Sequence, residues 1–302
     1  MEASQRGSRL AGTLLVAAAA IAFSGKGVII KLAYRYGVDA VTLLALRMLL
    51  SAPFFMLLGW WASRSKNVVK LDGRDHAAIV ALGFIGYYLA SYFDFLGLQY
   101  VTAALERLLL FIHPTFVVLF SAMLFGRRVT GRDVFAIVIS YAGIALAVGA
   151  DLATQPGNVA LGSFWVLMSA LFYAAYLIGS GRIVHRVGTL RFAAYAGLVS
   201  SVCVVVHFLV TRDGRLLFAQ APPVYWLALL MAVVSTVLPI VLTMEGIRRV
   251  GASHASIVAS VGPLATIGLA AIFLGEPVTW AQVAGAALVL TGVLAISLAK
   301  GK

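Results

Sequence analysis

The chain has 302 residues, 62% of them hydrophobic and only 11% charged, with a mean hydropathy of +1.00. Soluble domains run about 45–50% apolar and about 25% charged, so a soluble fold is excluded. The formal charge of +12 would suggest nucleic acid for a soluble protein. Here the basic residues sit in short loops between apolar runs and leave no separate basic domain, so nucleic acid is not an expected partner.

The opening Arg6, Arg9 and Leu10–Ala22 imitate a signal peptide. The apolar stretch continues through Val28–Ile30 and has a counterpart in the second half, so it reads as a retained first span. Apolar runs between polar or Gly/Pro punctuation predict ten helices, at about 11–33, 41–61, 76–98, 103–125, 134–150, 160–181, 192–211, 223–245, 253–274 and 280–298. The single cysteine, Cys203, lies inside one of these runs, and an intrachain disulfide is impossible.

Threading the 23 Lys and Arg through ten spans puts sixteen on the side of both termini. These are Arg6, Arg9, Arg64, Lys66, Lys70, Arg74, Arg127, Arg128, Arg132, Arg182, Arg186, Arg191, Arg248, Arg249, Lys300 and Lys302. Only Lys31, Arg35, Arg212 and Arg215 fall opposite. That bias predicts cytoplasmic termini in the plasma membrane.

Charges inside spans cost about 2.5–3.5 kcal/mol each on insertion scales, so each needs a reason. Lys26 on helix 1, Arg47 on helix 2, Asp94 on helix 3, and Glu106 and Arg107 on helix 4 all fall in the outer third of the membrane. Asp94 and Arg107 are equidistant from the turn near Tyr100, so a bridge between them is expected, with Glu106 turned toward Lys26 or Arg47. Two readings stay open: a static network pinning helices 1–4, or an outer gate or substrate-charge site. In the second, the one excess positive charge favours a carboxylate-bearing solute.

Further along, Tyr88 and Tyr92 on helix 3 and Trp165, Tyr173 and Tyr176 on helix 6 follow helical spacing. They are either packing or the wall of a cavity, where their polar tips would need partners. His113 reads first as a packing residue, while His207 and His254 are placed near the interfaces. Pro114 and Pro263 fall near the middle of helices 4 and 9 as paired kinks. Glu245 is set to pair with Arg248 and Arg249 on its own helix.

The chain also repeats itself. Laying Gly97–Leu146 over Gly246–Ala295, an offset of 149 without gaps, matches Gly97/Gly246, Val101/Val250, Ala103/Ala252, Pro114/Pro263, Ala122/Ala271, Gly126/Gly275, Val129/Val278, Thr130/Thr279, Val134/Val283 and Gly143/Gly292. The half beginning at Gly12 similarly faces the half beginning at Gly162. Five helices per half is an odd number, so the second half enters from the opposite side. The expected architecture is all-α, ten spans as two inverted five-helix repeats at 11–150 and 160–298, the architecture of alternating access. The charged cluster breaks this symmetry, because the equivalent Thr243, Ala255 and Ser256 carry no charge.

Two segments carry a family likeness: Asp94-Phe-Leu-Gly-Leu-Gln-Tyr … Pro114 … Leu124-Phe-Gly-Arg-Arg-Val-Thr, and Gly246 … Gly262-Pro-Leu … Leu274-Gly-Glu-Pro-Val-Thr. With the ten spans, they make the chain resemble the drug/metabolite transporter superfamily, EamA type, over about residues 11–298. Members of that family typically end the fourth helix of each repeat in Gly-Glu. Gly275-Glu276 keeps the pair, whereas Gly126-Arg127 departs from it, as suits a cytoplasmic loop. The resemblance implies a cavity lined by helices 1, 3, 4, 6, 8 and 9, which adds Ser235 to the candidate lining.

No phosphate loop, nucleophile elbow or metalloprotease helix is present, so neither an enzyme, a cofactor nor a metal is expected. The expectation is a secondary transporter that moves a small metabolite by alternating access, as an exporter of amino-acid-like or other small polar solutes. Its partners are that solute and the bilayer, with a homodimer as the candidate assembly. Broad drug efflux and a ligand sensor or scaffold without transport are the alternatives.

Overall fold

The computed structural model describes residues 2–64, 69–126, 128–154 and 157–299. Lys66, Arg127, Lys300 and Lys302 of the charge tally lie outside them, as do the side chains of Arg6, Arg9 and Arg182.

Residues so uniformly apolar cannot leave peptide groups unpaired in lipid, and helices satisfy them within one segment. Among the described residues there is no strand, and the helices are α1 (Glu2–Tyr34), α2 (Ala40–Ala62), α3 (Gly73–Gly97), α4 (Ala103–Leu110), α5 (His113–Phe125), α6 (Gly131–Thr154), α7 (Val159–Val187), α8 (Thr189–Thr211), α9 (Pro222–Val250), α10 (Ala252–Ala259), α11 (Gly262–Leu274) and α12 (Trp280–Ala299). Among the described residues, nine stretches are long and apolar enough to cross a membrane. The tenth expected span is helical but offers a shorter apolar run, Trp280–Ala295.

Helix starts follow the short polar residues of the sequence. The carboxylates or side-chain oxygens of Asp39, Asp72, Thr102 and Asn158 accept backbone N–H groups at the starts of α2, α3, α4 and α7. Their large apolar side chains point outward as well as inward: Trp226 is 72% exposed and Ile272 76%, which suits a lipid-facing surface and not an aqueous one.

Pro114 and Pro263 do not kink continuous helices. The chain turns at 111–112 and again at 260–261, and each proline falls in the first turn of the following helix, α5 or α11. A residue without an N–H loses least there, because first-turn donors have no intrahelical acceptor. The two breaks are 149 residues apart. Other irregularities recur at nearly the same spacing: α3 widens to π-helix at Gly83–Leu89 and α9 at Val233–Val237, and α5 and α11 both end in a left-handed glycine, Gly126 and Gly275.

The interhelical crossings repeat as well. A Cβ on Gly97 of α3 would lie 2.4 Å from Val166 Cγ2 and 2.9 Å from the Gly162 carbonyl on α7. A Cβ on Gly246 of α9 would lie 2.4 Å from Val16 Cγ2 and 3.1 Å from the Gly12 carbonyl on α1. Two large cores lie toward the end of the bundle opposite the N-terminus, called here the outer end. One gathers Ile30, Leu43, Leu44, Phe95 and Phe208 from α1, α2, α3 and α8; the other gathers Leu105, Leu108, Val166 and Val289 from α4, α7 and α12.

Candidate substrate site and outer closure

Five ionisable side chains meet between α1, α2, α3 and α4, and all are buried: Lys26, Arg47, Asp94, Glu106 and Arg107. The expected Asp94–Arg107 bridge is not formed. Asp94 Oδ2 instead accepts from Lys26 Nζ at 2.6 Å, and the same ammonium lies 3.9 Å from Glu106 Oε1. Asp94 faces α1 across the bundle, whereas Arg107 leaves α4 in another direction. Its guanidinium sits over the rings of Phe23, at 4.8 Å, and Phe111, at 5.4 Å, with Nη2 3.5 Å from Ser24 Oγ. Arg47 lies over Phe95 at 5.7 Å and donates from Nε to Oγ1 of Thr236, in the π-helical stretch of α9, which itself donates to the Met231 carbonyl. Cation–π contacts hold a charge in apolar surroundings without discharging it.

One polar atom on each of four of these side chains remains without a hydrogen-bond partner: Arg47 Nη1, Asp94 Oδ1, Glu106 Oε1 and Arg107 Nε. Orphaned buried groups cost about 1–3 kcal/mol each, more when charged, so this cluster is under-satisfied as it stands. Beside it two aromatic side chains are part-exposed. Phe23, which carries both Lys26 and Arg107 against its ring, is 40% exposed, and Tyr173 is 38% exposed. Both lie on the N-terminal side of the charges.

The predicted aromatics separate into distinct groups. Tyr173 stacks with Tyr176 and meets His113 edge-on at 5.1 Å, while Tyr176 continues to Tyr87 and Phe192. His113 Nδ1 bonds the Leu110 carbonyl where α4 ends. Trp165 stacks on Phe93 rather than on the tyrosines of its own helix. Tyr88 and Tyr92 face α8, where His207 has partners that its expected place near an interface did not include: its Nδ1 lies 3.0 Å from the Tyr88 hydroxyl and its ring packs against Tyr92. The partner on α3 is six residues from Asp94, and nothing local to His207 signals it. His254 does lie exposed, bonded to Thr13 Oγ1, and Glu245 pairs with Arg248 and Arg249 at 2.7 Å. Ser235 is buried and donates to the Ala22 carbonyl of α1.

A second polar layer, which sequence reasoning left without a role, closes the outer end. Glu276, in the turn after α11, accepts from the Ala103 N–H through both oxygens, at 3.0 and 3.1 Å, and from the Ala104 N–H at 3.4 Å. Lys31, at the end of α1, donates to the Val101 carbonyl at 2.7 Å and lies 3.7 Å from Glu276 Oε1. Asp151, at the end of α6, accepts from the N–H and the hydroxyl of Thr102, both at 2.9 Å, and from Gln282 Nε2 at 3.3 Å. Arg35 donates to the Leu274 carbonyl at 2.6 Å. Burial pushes the Glu276 carboxyl up from its ordinary value, and the Ala103 and Ala104 amides and the Lys31 ammonium offset this only in part. The sequence signals that point to this layer are Glu276, in the Gly-Glu pair after the ninth expected span, and Thr102, a capping residue type just ahead of an apolar run.

The profile of the EamA-like transporter family matches the chain twice, over residues 10–149 and 160–298. An uncharacterised transporter of Bacillus subtilis (strain 168), YcbK, is 33% identical over 298 residues, covering 97% of this chain and 95% of that one. An uncharacterised inner-membrane transporter of Salmonella typhimurium, YicL, is 24% identical over 97% of both chains. A probable terminal-alkyne amino-acid exporter of Streptantibioticus cattleyicolor is 43% identical, but over 53 residues, 18% of each chain. A solved crystal structure superposes with a TM-score of 0.62 at 18% identity, covering 95% of this chain and 96% of that one, and so shares the fold.

Proposed function

Because the chain belongs to the EamA-like transporter family, we propose that it is a secondary transporter working by alternating access, with residues 11–150 and 160–298 as two inverted five-helix repeats. The matched helix breaks, π-helical stretches and glycine crossings 149 or 150 residues apart support the repeats. The basic bias of the loops supports cytoplasmic termini in the plasma membrane. In this frame the polar layer at the outer end and the part-exposed Phe23 and Tyr173 beside the charges support an inward-facing state, the one in which an exporter loads.

The observation that carries the reading is the under-satisfied cluster of Lys26, Arg47, Asp94, Glu106 and Arg107 beside the part-exposed Phe23 and Tyr173. Buried charges that only pinned helices together would be paired out; here donors and acceptors stay available within the membrane. The Arg107 guanidinium is the group for a solute carboxylate, with Phe23, Phe111, His113 and Tyr173 as the wall around it and Tyr176 and Trp165 behind. Small polar solutes of amino-acid type are the cargo this charge set suits. The short match to an amino-acid exporter points the same way.

Purified protein in sealed liposomes loaded with the twenty common amino acids tests this. Counterflow of labelled amino acid is expected, and Arg107→Gln is expected to reduce it at least tenfold while leaving the protein folded. Binding without flux would replace transport by sensing. Flux of lipophilic drugs indifferent to Lys26 and Arg107 would replace it by broad efflux.

A further inference from the structure

The outer polar layer joins parts of both halves: the end of α1, the turn before α4 and the end of α6 with the turn after α11 and the start of α12. Its centre is the N-terminus of α4, whose free N–H groups attract a carboxylate. The Glu276 carboxylate fills that place from the other half of the chain, and Thr102 completes the cap by accepting from the Leu105 N–H at 3.0 Å. Just beneath, Val28, Ala103 and Ala270 pack together from α1, α4 and α11 and are all at most 3% exposed. This is a plug with a polar seal above it.

The inner end carries none of the same groups. Shifting by 149 residues turns Glu276 into Arg127 and Thr102 into Gly251, and the 150-residue shift that matches Gly12 to Gly162 turns Lys31 into Gly181. The helix equivalent to α4 is α10, and its N-cap, Gly251, offers no side-chain acceptor. We infer that Glu276 is a latch: by capping α4 across the two halves, with Lys31, Thr102 and Asp151 around it, it biases the resting protein toward the outer-closed state. The inference rests on the transport reading in one respect, that an outer-open state exists.

The test reads conformation and not flux. A Val28→Cys reporter in a Cys203→Ser background is treated, in membranes, with an impermeant maleimide applied from the outer side. In the otherwise native chain, labelling is expected to be slow. Glu276→Ala removes the acceptor and is expected to raise the labelling rate about five- to tenfold, whereas Glu276→Gln, which still offers an amide oxygen to Ala103, stays within about twofold of the reference. Monodispersity by size exclusion confirms that both variants are folded. An unchanged rate in Glu276→Ala would overturn the latch, as would an equal rise in both variants. Altered labelling without liposome flux would leave the latch standing and remove the transport reading; flux with unaltered labelling would do the reverse.

Discussion

Lys26 holds the charged site together because, among the described residues, it alone lies within ion-pair distance of both acids. Replacing it by Met would leave Asp94 and Glu106 buried with only the more distant Arg47 and Arg107 as counter-charges; breaking a buried pair costs about 3–5 kcal/mol in comparable cases. Lys26→Met is therefore expected to lower the melting temperature of the purified protein markedly. Lys26→Met with Asp94→Asn, which removes the ion pair as a unit, should recover much of the loss. Arg107→Gln alone is expected to be milder for stability, since its guanidinium makes ring contacts and one long bond to Ser24, and no ion pair joins it to a carboxylate among the described residues. A double-mutant cycle by thermal melting checks all of this. The sequence placed these five residues in one layer, because depth along a helix follows from counting. It misassigned the pairing, because direction around the axis depends on how α1, α3 and α4 rotate against each other, which no local spacing encodes.

At the level of elements, the junction between α4 and the turn after α11 has a pH dependence with a definite sign. Glu276 is held above the ordinary carboxylate value of about 4.3, chiefly by burial, with Asp151 adding and Lys31 and two amides subtracting. In an outer-open state it would face water and return toward that ordinary value. The closed junction therefore binds the proton more tightly, and protonation favours closure. This contribution is complete below the ordinary carboxylate range and is lost as pH climbs through the raised value. Labelling of the Val28→Cys reporter, taken at each pH as a ratio to the same reporter in Glu276→Gln so that the thiolate fraction cancels, should accordingly quicken as the outer pH rises through that window. Lys31 and Asp151 are the other charged groups that face Glu276 in this layer. The polar and Gly/Pro punctuation of the sequence placed the ends of most helices, and the structure shows Asp39, Thr102 and Asn158 as the capping residues there and Gly126 and Gly275 as the left-handed ends. The sequence did not announce that Pro114 and Pro263 begin new helices, since the turns before them lie in apolar runs that read as continuous.

For the molecule as a whole, nearly every apolar run found its helix, because bilayer thickness and backbone pairing leave the chain no other choice. What composition could not supply was the contact between remote segments: His207 against Tyr88, or Glu276 against Ala103, separated by 173 residues. The glycine crossings are the exception, legible as repeated small residues. They have a mechanical consequence. Gly97 meets Gly162 toward one end of the bundle and Gly12 meets Gly246 toward the other, with backbone on backbone. Such points let two rods touch without side chains between them, so each can act as a fulcrum about which a rod swings while its far tip travels. Adding a methyl group at Gly97 or Gly246 would wedge one fulcrum, and is expected to slow counterflow at least tenfold with a modest fall in melting temperature. The load such a see-saw can lift is set by its pivots, and here each pivot has no more width than a hydrogen atom.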